Sequence, residues 1–311
     1  MKDSLLREIK EFPSDNNIYL IEKLSEIAGF FISNQKFLYI VKNSEISINQ
    51  NIKTDFIELN TNIEIFSVKD FQQFKSGRYN ILSFNNLSSE NDFESFVNLC
   101  KAHVEFMNSE NIVNFFYSLM NIFQVTKEQN FKNVIGFLGE LAVIKYLYKN
   151  FNFDVSSFWH IDGSESKYDF SLPDFNVEVK STNSINKLVL IKHNQIFNED
   201  KNILATVFFH SSEQGFSLND IIYELKTHKN AFKNLNFIMN IERELKRISK
   251  NEICNKKFVL EKISFFNVKD INTIKQIPKT ISDLQYHLDL SEERDLNFDM
   301  LKKIIDENKK E

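Results

Sequence analysis

Proline and glycine are scarce in this chain, at 3 and 6 of 311 residues. Turns must therefore be built largely by Asn, Asp and Ser, whose side chains bend and cap the backbone. Each glycine and proline then carries information about where something special is needed. Cysteine is almost absent. Cys100 and Cys254 lie far apart, without CxxC spacing or nearby histidine, so they read as reduced, buried thiols rather than a zinc site. No run of about 18 apolar residues occurs. The first twelve residues, MKDSLLREIKEF, are charged throughout and lack the apolar stretch of a signal peptide, so the expected location is the cytoplasm, with no membrane partner. A positive surplus is missing too. The net charge of -5 gives no global attraction for nucleic acid, and divalent cations or a local basic surface would have to supply it.

What is present is core material. The chain is 42% hydrophobic and 26% charged, with 32 Phe, which excludes general disorder. Residues 1–28 read as helical, and short apolar strands follow around the turn-like Asn34-Gln35 and in DFIELN, IEIFSV and YNILSF. Helices are expected at about 93–107 and 111–124, the latter from apolar spacing at Ile112, Phe116, Leu119 and Phe123. The apolar helix at 127–151 carries Gly136 one turn before Glu140, a spacing that would let another element approach beside a carboxylate. Beyond it the pattern predicts a strand near 155–160, a hairpin at 168–181, and strands at KLVLIKH and ILATVFFH. Helices then run to about 250, followed by a strand pair near FVLEKISFFNV, a YHLDL strand and an exposed terminal helix. The domain division read from this is 1–110, β-rich; 111–215, an α/β core; 216–290, a helical and β region completing it; and 291–311, a terminal helix or tail. Residues 226–257 hold nine Lys or Arg against three Glu, a cluster that usually means a solvated helix face.

The segment YDFSLPDFNVEVKS, 168–181, concentrates the chemistry. Strand side chains alternate between faces, so Phe175, Val177 and Val179 can enter a core while Asn176, Glu178 and Lys180 share the other face. Pro173-Asp174 supplies the turn. If Leu172 pairs with Val177, Asp169 faces Lys180; a slip of two residues puts Asp169 opposite Glu178, and the polar groups stay together either way. Two carboxylates with a main-chain carbonyl suit a hard cation such as Mg²⁺, which keeps several waters. Asp169, Glu178 and the Val179 carbonyl would be its ligands, and Lys180 could orient a water or neutralise charge on a phosphoryl group during phosphodiester hydrolysis. Glu-x-Lys alone is nearly worthless, since it begins at Glu8, Glu165, Glu178, Glu199, Glu224, Glu244 and Glu307. Only the copy at 178–180 sits in an alternating strand, nine residues after an Asp and preceded by a Gly-x-x-Gly-Glu helix.

That combination resembles the PD-(D/E)XK nuclease superfamily over about residues 130–212. With KHNQIF and QYHLDL added, it resembles more closely a bacterial family of PD-(D/E)XK motif proteins associated with restriction or phage defence. The resemblance implies a restriction-endonuclease-like αβββαβ core with a mixed sheet, flanked by a β-rich N-terminal region and a helical C-terminal extension. It implies site roles for Glu140, on the helix, and Gln195, after the Glu-x-Lys strand. The implied function is a Mg²⁺-dependent endonuclease, with Mn²⁺ able to substitute, acting on double-stranded DNA as a homodimer or with defence-system partners. The literal Pro173-Asp174 lies only four residues before Glu178, so Asp169 is the preferred ligand and Asp174 the fallback.

Plainer readings exist for each residue. Asp, Glu and Lys on neighbouring strands can be a cross-strand ion pair. Glu140 could pair with Lys145, Gln195 could cap the following helix, and His160 and His193 read as surface or strand-end residues. A nuclease-like fold can also bind nucleic acid or a protein partner without cutting.

Overall fold

The computed structural model describes residues 9, 12, 14–15, 17–43, 49–65, 76–85, 89–106, 111–123, 131–160, 166–183, 188–196, 202–229, 231–248, 254–274, 278 and 284–309. The protein is mixed α/β and divides into two compact units, Met1–Val125 and Thr126–Glu311. Among the described residues no helix is long and apolar enough to cross a membrane.

The first unit holds a six-stranded antiparallel sheet in the order β1-β2-β3-β6-β5-β4. Its strands are β1 (Tyr19–Lys23), β2 (Ala28–Ser33), β3 (Lys36–Lys42), β4 (Asn51–Lys53), β5 (Ile57–Ile65) and β6 (Gly77–Phe84). Helices α1 (Glu90–Phe106) and α2 (Ile112–Phe123) follow within the same unit. The turn chemistry matches the shortage of glycine: Asn34 and Gln35, at φ 49° and 57°, close the β2–β3 hairpin, and Asn62, at φ 59°, sits in the β5 bulge. The helix expected across 1–28 does not extend to 19–23, which form β1, because pairing with β2 overrides the local helical pattern. Residues 1–8 lie outside the described residues.

The second unit begins with α3 (Phe131–Phe151), ended by Asn152 at φ 50°, a left-handed position usually filled by glycine. A 3-10 turn (Ser156–Phe158), β7 (Phe170–Ser171), β8 (Asn176–Thr182), β9 (Val189–Lys192) and the short α4 (His193–Ile196) follow. Next come β10 (Asn202–Phe216), α5 (Leu218–Lys226), α6 (Leu235–Arg247), β11 (Phe258–Asn267), β12 (Gln285–Leu288) and α7 (Phe298–Asn308). The principal sheet runs β11-β10-β8-β7 and is mixed: β10 is parallel to β8, and the other neighbours are antiparallel. β10 is apolar on both faces because it is central. Ile203, Ala205, Val207 and Phe209 join the core that includes α3, whereas Leu204 and Phe208 join a second cluster with Ile191, Ile196 and Leu288.

Several local expectations are corrected. The strand expected at 155–160 is a 3-10 turn followed by a single bridge from Trp159 to Phe170. The strand expected at KLVLIKH is present as β9 and pairs with β12, the strand expected at YHLDL, outside the principal sheet. FVLEKISFFNV forms one ten-residue strand rather than a pair, because its whole length pairs with the long β10. The terminal helix is not merely exposed: Leu301 and Ile305 of α7 are buried in the main core. Side-chain caps start the later helices, with Ser217 and Asp220 forming a reciprocal capping box on α5, and Asn234 and Asn297 capping α6 and α7.

Candidate active site

The hairpin takes the register in which Phe170 pairs with Val177 and Ser171 with Asn176. Leu172 N–H donates to the Phe175 carbonyl at 3.0 Å across the turn. That is the register slipped by two residues from the pairing of Leu172 with Val177, and its continuation sets Asp169 opposite Glu178. Ladder pairing ends at Phe170, so the next inward donor of β8 needs another acceptor. The Asp169 carboxylate supplies it, with Oδ2 accepting from Val179 N–H at 2.6 Å. In an antiparallel ladder a residue's N–H and C=O project to the same edge, which puts the Val179 carbonyl on the edge that Asp169 occupies.

Phe175, Val177 and Val179 enter the core on the α3 side, as the alternation predicts. The opposite face is not a solvated sheet surface. Glu178 is 3% exposed and lies in register with Leu204 of β10, and Lys180 lies in register with the fully buried Thr206. The Lys180 ammonium is ion-paired to Glu178 Oε1. Burial disfavours its charge, but Glu178 and Asp169, with Glu140 behind them, outweigh this and hold the ammonium above the ordinary lysine range. Thr206 carries no sequence signal of its own and emerges only from the parallel register; among the described residues its hydroxyl is buried with no hydrogen-bond partner.

Glu140 is held from behind. Trp159 Nε1 donates to Glu140 Oε2 at 2.7 Å, and the indole stacks on Phe137 of α3 with ring centroids 5.9 Å apart. The next residue, His160, donates its backbone N–H to the Asp169 carbonyl at 2.7 Å, and burial lowers its imidazole pKa. The dipeptide Trp159-His160 thus ties the helix-borne and hairpin-borne acids to one strand-like segment. Its own carbonyl anchor is on α6: Asn236 and Asn240 donate to the Trp159 carbonyl at 3.0 and 2.8 Å. Sequence reasoning missed Trp159, although a lone tryptophan between an acidic helix and an acidic hairpin was a usable signal. Trp159→Phe is expected to cost about 2 kcal/mol in thermal unfolding, from loss of a hydrogen bond to a carboxylate. An unchanged unfolding temperature would show that the indole N–H contributes nothing.

Gly139, not Gly136, makes the close approach. A Cβ on Gly139 would lie 1.6 Å from Ser181 Oγ and 2.7 Å from Ser181 Cβ on β8, whereas one on Gly136 meets nothing within 4 Å. The remaining expected residues are placed differently. Gln195 Oε1 accepts from Lys192 N–H at 3.4 Å, a local cap at the start of α4. Asp174 is exposed and lines a cavity of about 260 Å³ with Asn202, Asn267, Glu307 and Asn308, at the turn end of the hairpin. His193, expected at the surface or at a strand end, directly follows β9 and is buried, with Nδ1 3.0 Å from Tyr286 Oη. Lys145 pairs with Glu224 at 2.6 Å. Among the described residues no group of three or more His, Cys, Asp or Glu could by itself hold a metal ion.

Comparison with known families gives one match: the sequence model of a family described as "Putative PD-(D/E)XK family member" covers residues 13–291. No curated protein and no solved structure matches the chain.

Proposed function

Because the chain belongs to this PD-(D/E)XK family, we propose that it is a metal-dependent endonuclease that hydrolyses DNA phosphodiester bonds, working in restriction or anti-phage defence. The observation that carries the reading is the Asp169 carboxylate seated on Val179 N–H beside the buried Glu178–Lys180 pair. A solvated ion pair would have no reason to bury a glutamate or to spend a second carboxylate on a strand edge. The order α3, Trp159 bridge, β7, β8, α4, β10 supports an αβββαβ core in which the bridge stands for the first strand, with β9 set apart in the sheet it makes with β12.

The donor set suits Mg²⁺, with Mn²⁺ as a substitute. Asp169, Glu178 and the Val179 carbonyl offer hard oxygens. A cation bound there would supply charge neutralisation and lower the pKa of water. This chain's own residues do the rest. Asp169 fixes the strand edge, and Lys180 Nζ, kept protonated by its carboxylate neighbours, offers donors to a phosphoryl oxygen or to the attacking water. Glu140, held by Trp159, adds negative charge that keeps the ammonium in place. Gln195 would act from within α4. Double-stranded DNA is the proposed substrate, with a homodimer or defence-system partners as the proposed assembly.

The test is cleavage of plasmid, single-stranded and modified DNA with Mg²⁺ or Mn²⁺, comparing the native protein with D169A, E178A and K180A. Loss of cleavage in all three variants is expected. Equal activity in all four proteins would overturn the mechanism, and binding without cleavage by the native protein would favour a non-catalytic nucleic-acid-binding subunit.

A further inference from the structure

The three carboxylates of the site repel a phosphodiester, and the chain as a whole carries a net charge of -5. Divalent cations at the site or a local cationic surface must therefore offset this repulsion, and the second is open to inspection. Residues Asn236, Asn240, Arg243 and Arg247 follow one another on α6 at steps of four, three and four, which places them on one face of the helix. The two asparagines hold the Trp159 carbonyl, the peptide that joins Glu140 to Asp169. The two arginines continue that stripe about one and two turns farther along. Arg247 pairs with Glu244 at 3.0 Å, and Lys226 is taken by Glu242 at 2.7 Å. Arg243 differs: among the described residues its Nε is buried with no hydrogen-bond partner.

We propose that Arg243, with Arg247 beside it, forms a clamp for a backbone phosphate of the nucleic-acid substrate, flanking the phosphate that is cut. A guanidinium fork suits two phosphate oxygens. Burial and the Arg247 guanidinium both depress the Arg243 pKa. The opposing influence on it is Glu244. This inference rests on the nuclease reading only for the identity of its substrate.

The experiment is anisotropy titration of a short labelled DNA duplex and its single strand in EDTA over a range of salt, so that binding is read without catalysis. R243Q is expected to weaken binding about tenfold and to lower the slope of log affinity against log salt by about 0.9, the release expected for one phosphate. R243K, which keeps the charge, is expected to recover most of the slope. Affinity and slope unchanged in R243Q, or in R247Q should R243Q not fold, overturn the clamp while leaving cleavage and the nuclease reading intact. Arg243-dependent binding by a protein that never cleaves sustains the clamp and removes the catalytic reading. A native protein that binds neither probe overturns the clamp.

Discussion

K180A is expected to lower cleavage on the order of a hundred- to a thousand-fold and, without metal, to destabilise the fold by about 3 kcal/mol. The catalytic part follows from removing an ammonium on which Glu178, Asp169 and Glu140 all act. The stability part follows from burial. Glu178 is 3% exposed, while the Lys180 side chain is 24% exposed, so deleting the lysine leaves the more buried member of the pair without its counter-ion. A divalent cation seated on Glu178 would replace the missing charge. Mg²⁺ or Mn²⁺ should therefore raise the unfolding temperature of K180A more than that of the native protein, and should do nothing of the kind for E178A. This readout is independent of turnover. Equal thermal responses to metal in all three proteins would place the cation elsewhere, and undiminished cleavage by K180A would remove the lysine from the chemistry.

The second large effect concerns the glycine pair of α3. G139A should destabilise by at least about 2 kcal/mol and reduce cleavage, because the added methyl lies within 3 Å of two Ser181 atoms and must push α3 and β8 apart. Ser181 directly follows Lys180, so the displacement reaches the ammonium. G136A should instead be neutral or stabilising by up to about 1 kcal/mol, since nothing stands within 4 Å and alanine favours the helix. S181G restores the space, so the double variant should recover a substantial part of the loss caused by G139A; additive effects in that cycle would rule out the proposed contact. Equal stability of G139A and G136A would mean that helix and strand are not closely packed there.

Much of the site's local character was legible in the residue order. Period-two alternation assigned Phe175, Val177 and Val179 to the core and Glu178 with Lys180 to the other face, because a strand has only two faces. Hairpin, central apolar strand and the principal helices followed from equally local rules, as did the turn at Asn34-Gln35. Where local pattern and pairing competed, pairing won: β1 at 19–23 replaced an expected helix end, and a 3-10 turn replaced an expected strand at 155–160.

The sequence by itself determined which residues could share a face and which chemistry they could perform, since alternation, charge and donor type are properties of neighbours in the chain. Only the tertiary structure decided the rest. It chose the register that sets Asp169 against Glu178, made Gly139 rather than Gly136 the close contact, brought Trp159 to Glu140, and set the Trp159 carbonyl on Asn240 of α6. Each of these depends on partners 9 to 81 positions apart along the chain, as with Asp169 and Glu178 at one extreme and Trp159 and Asn240 at the other. Their meeting is fixed by how whole elements pack together, a balance that no local pattern encodes.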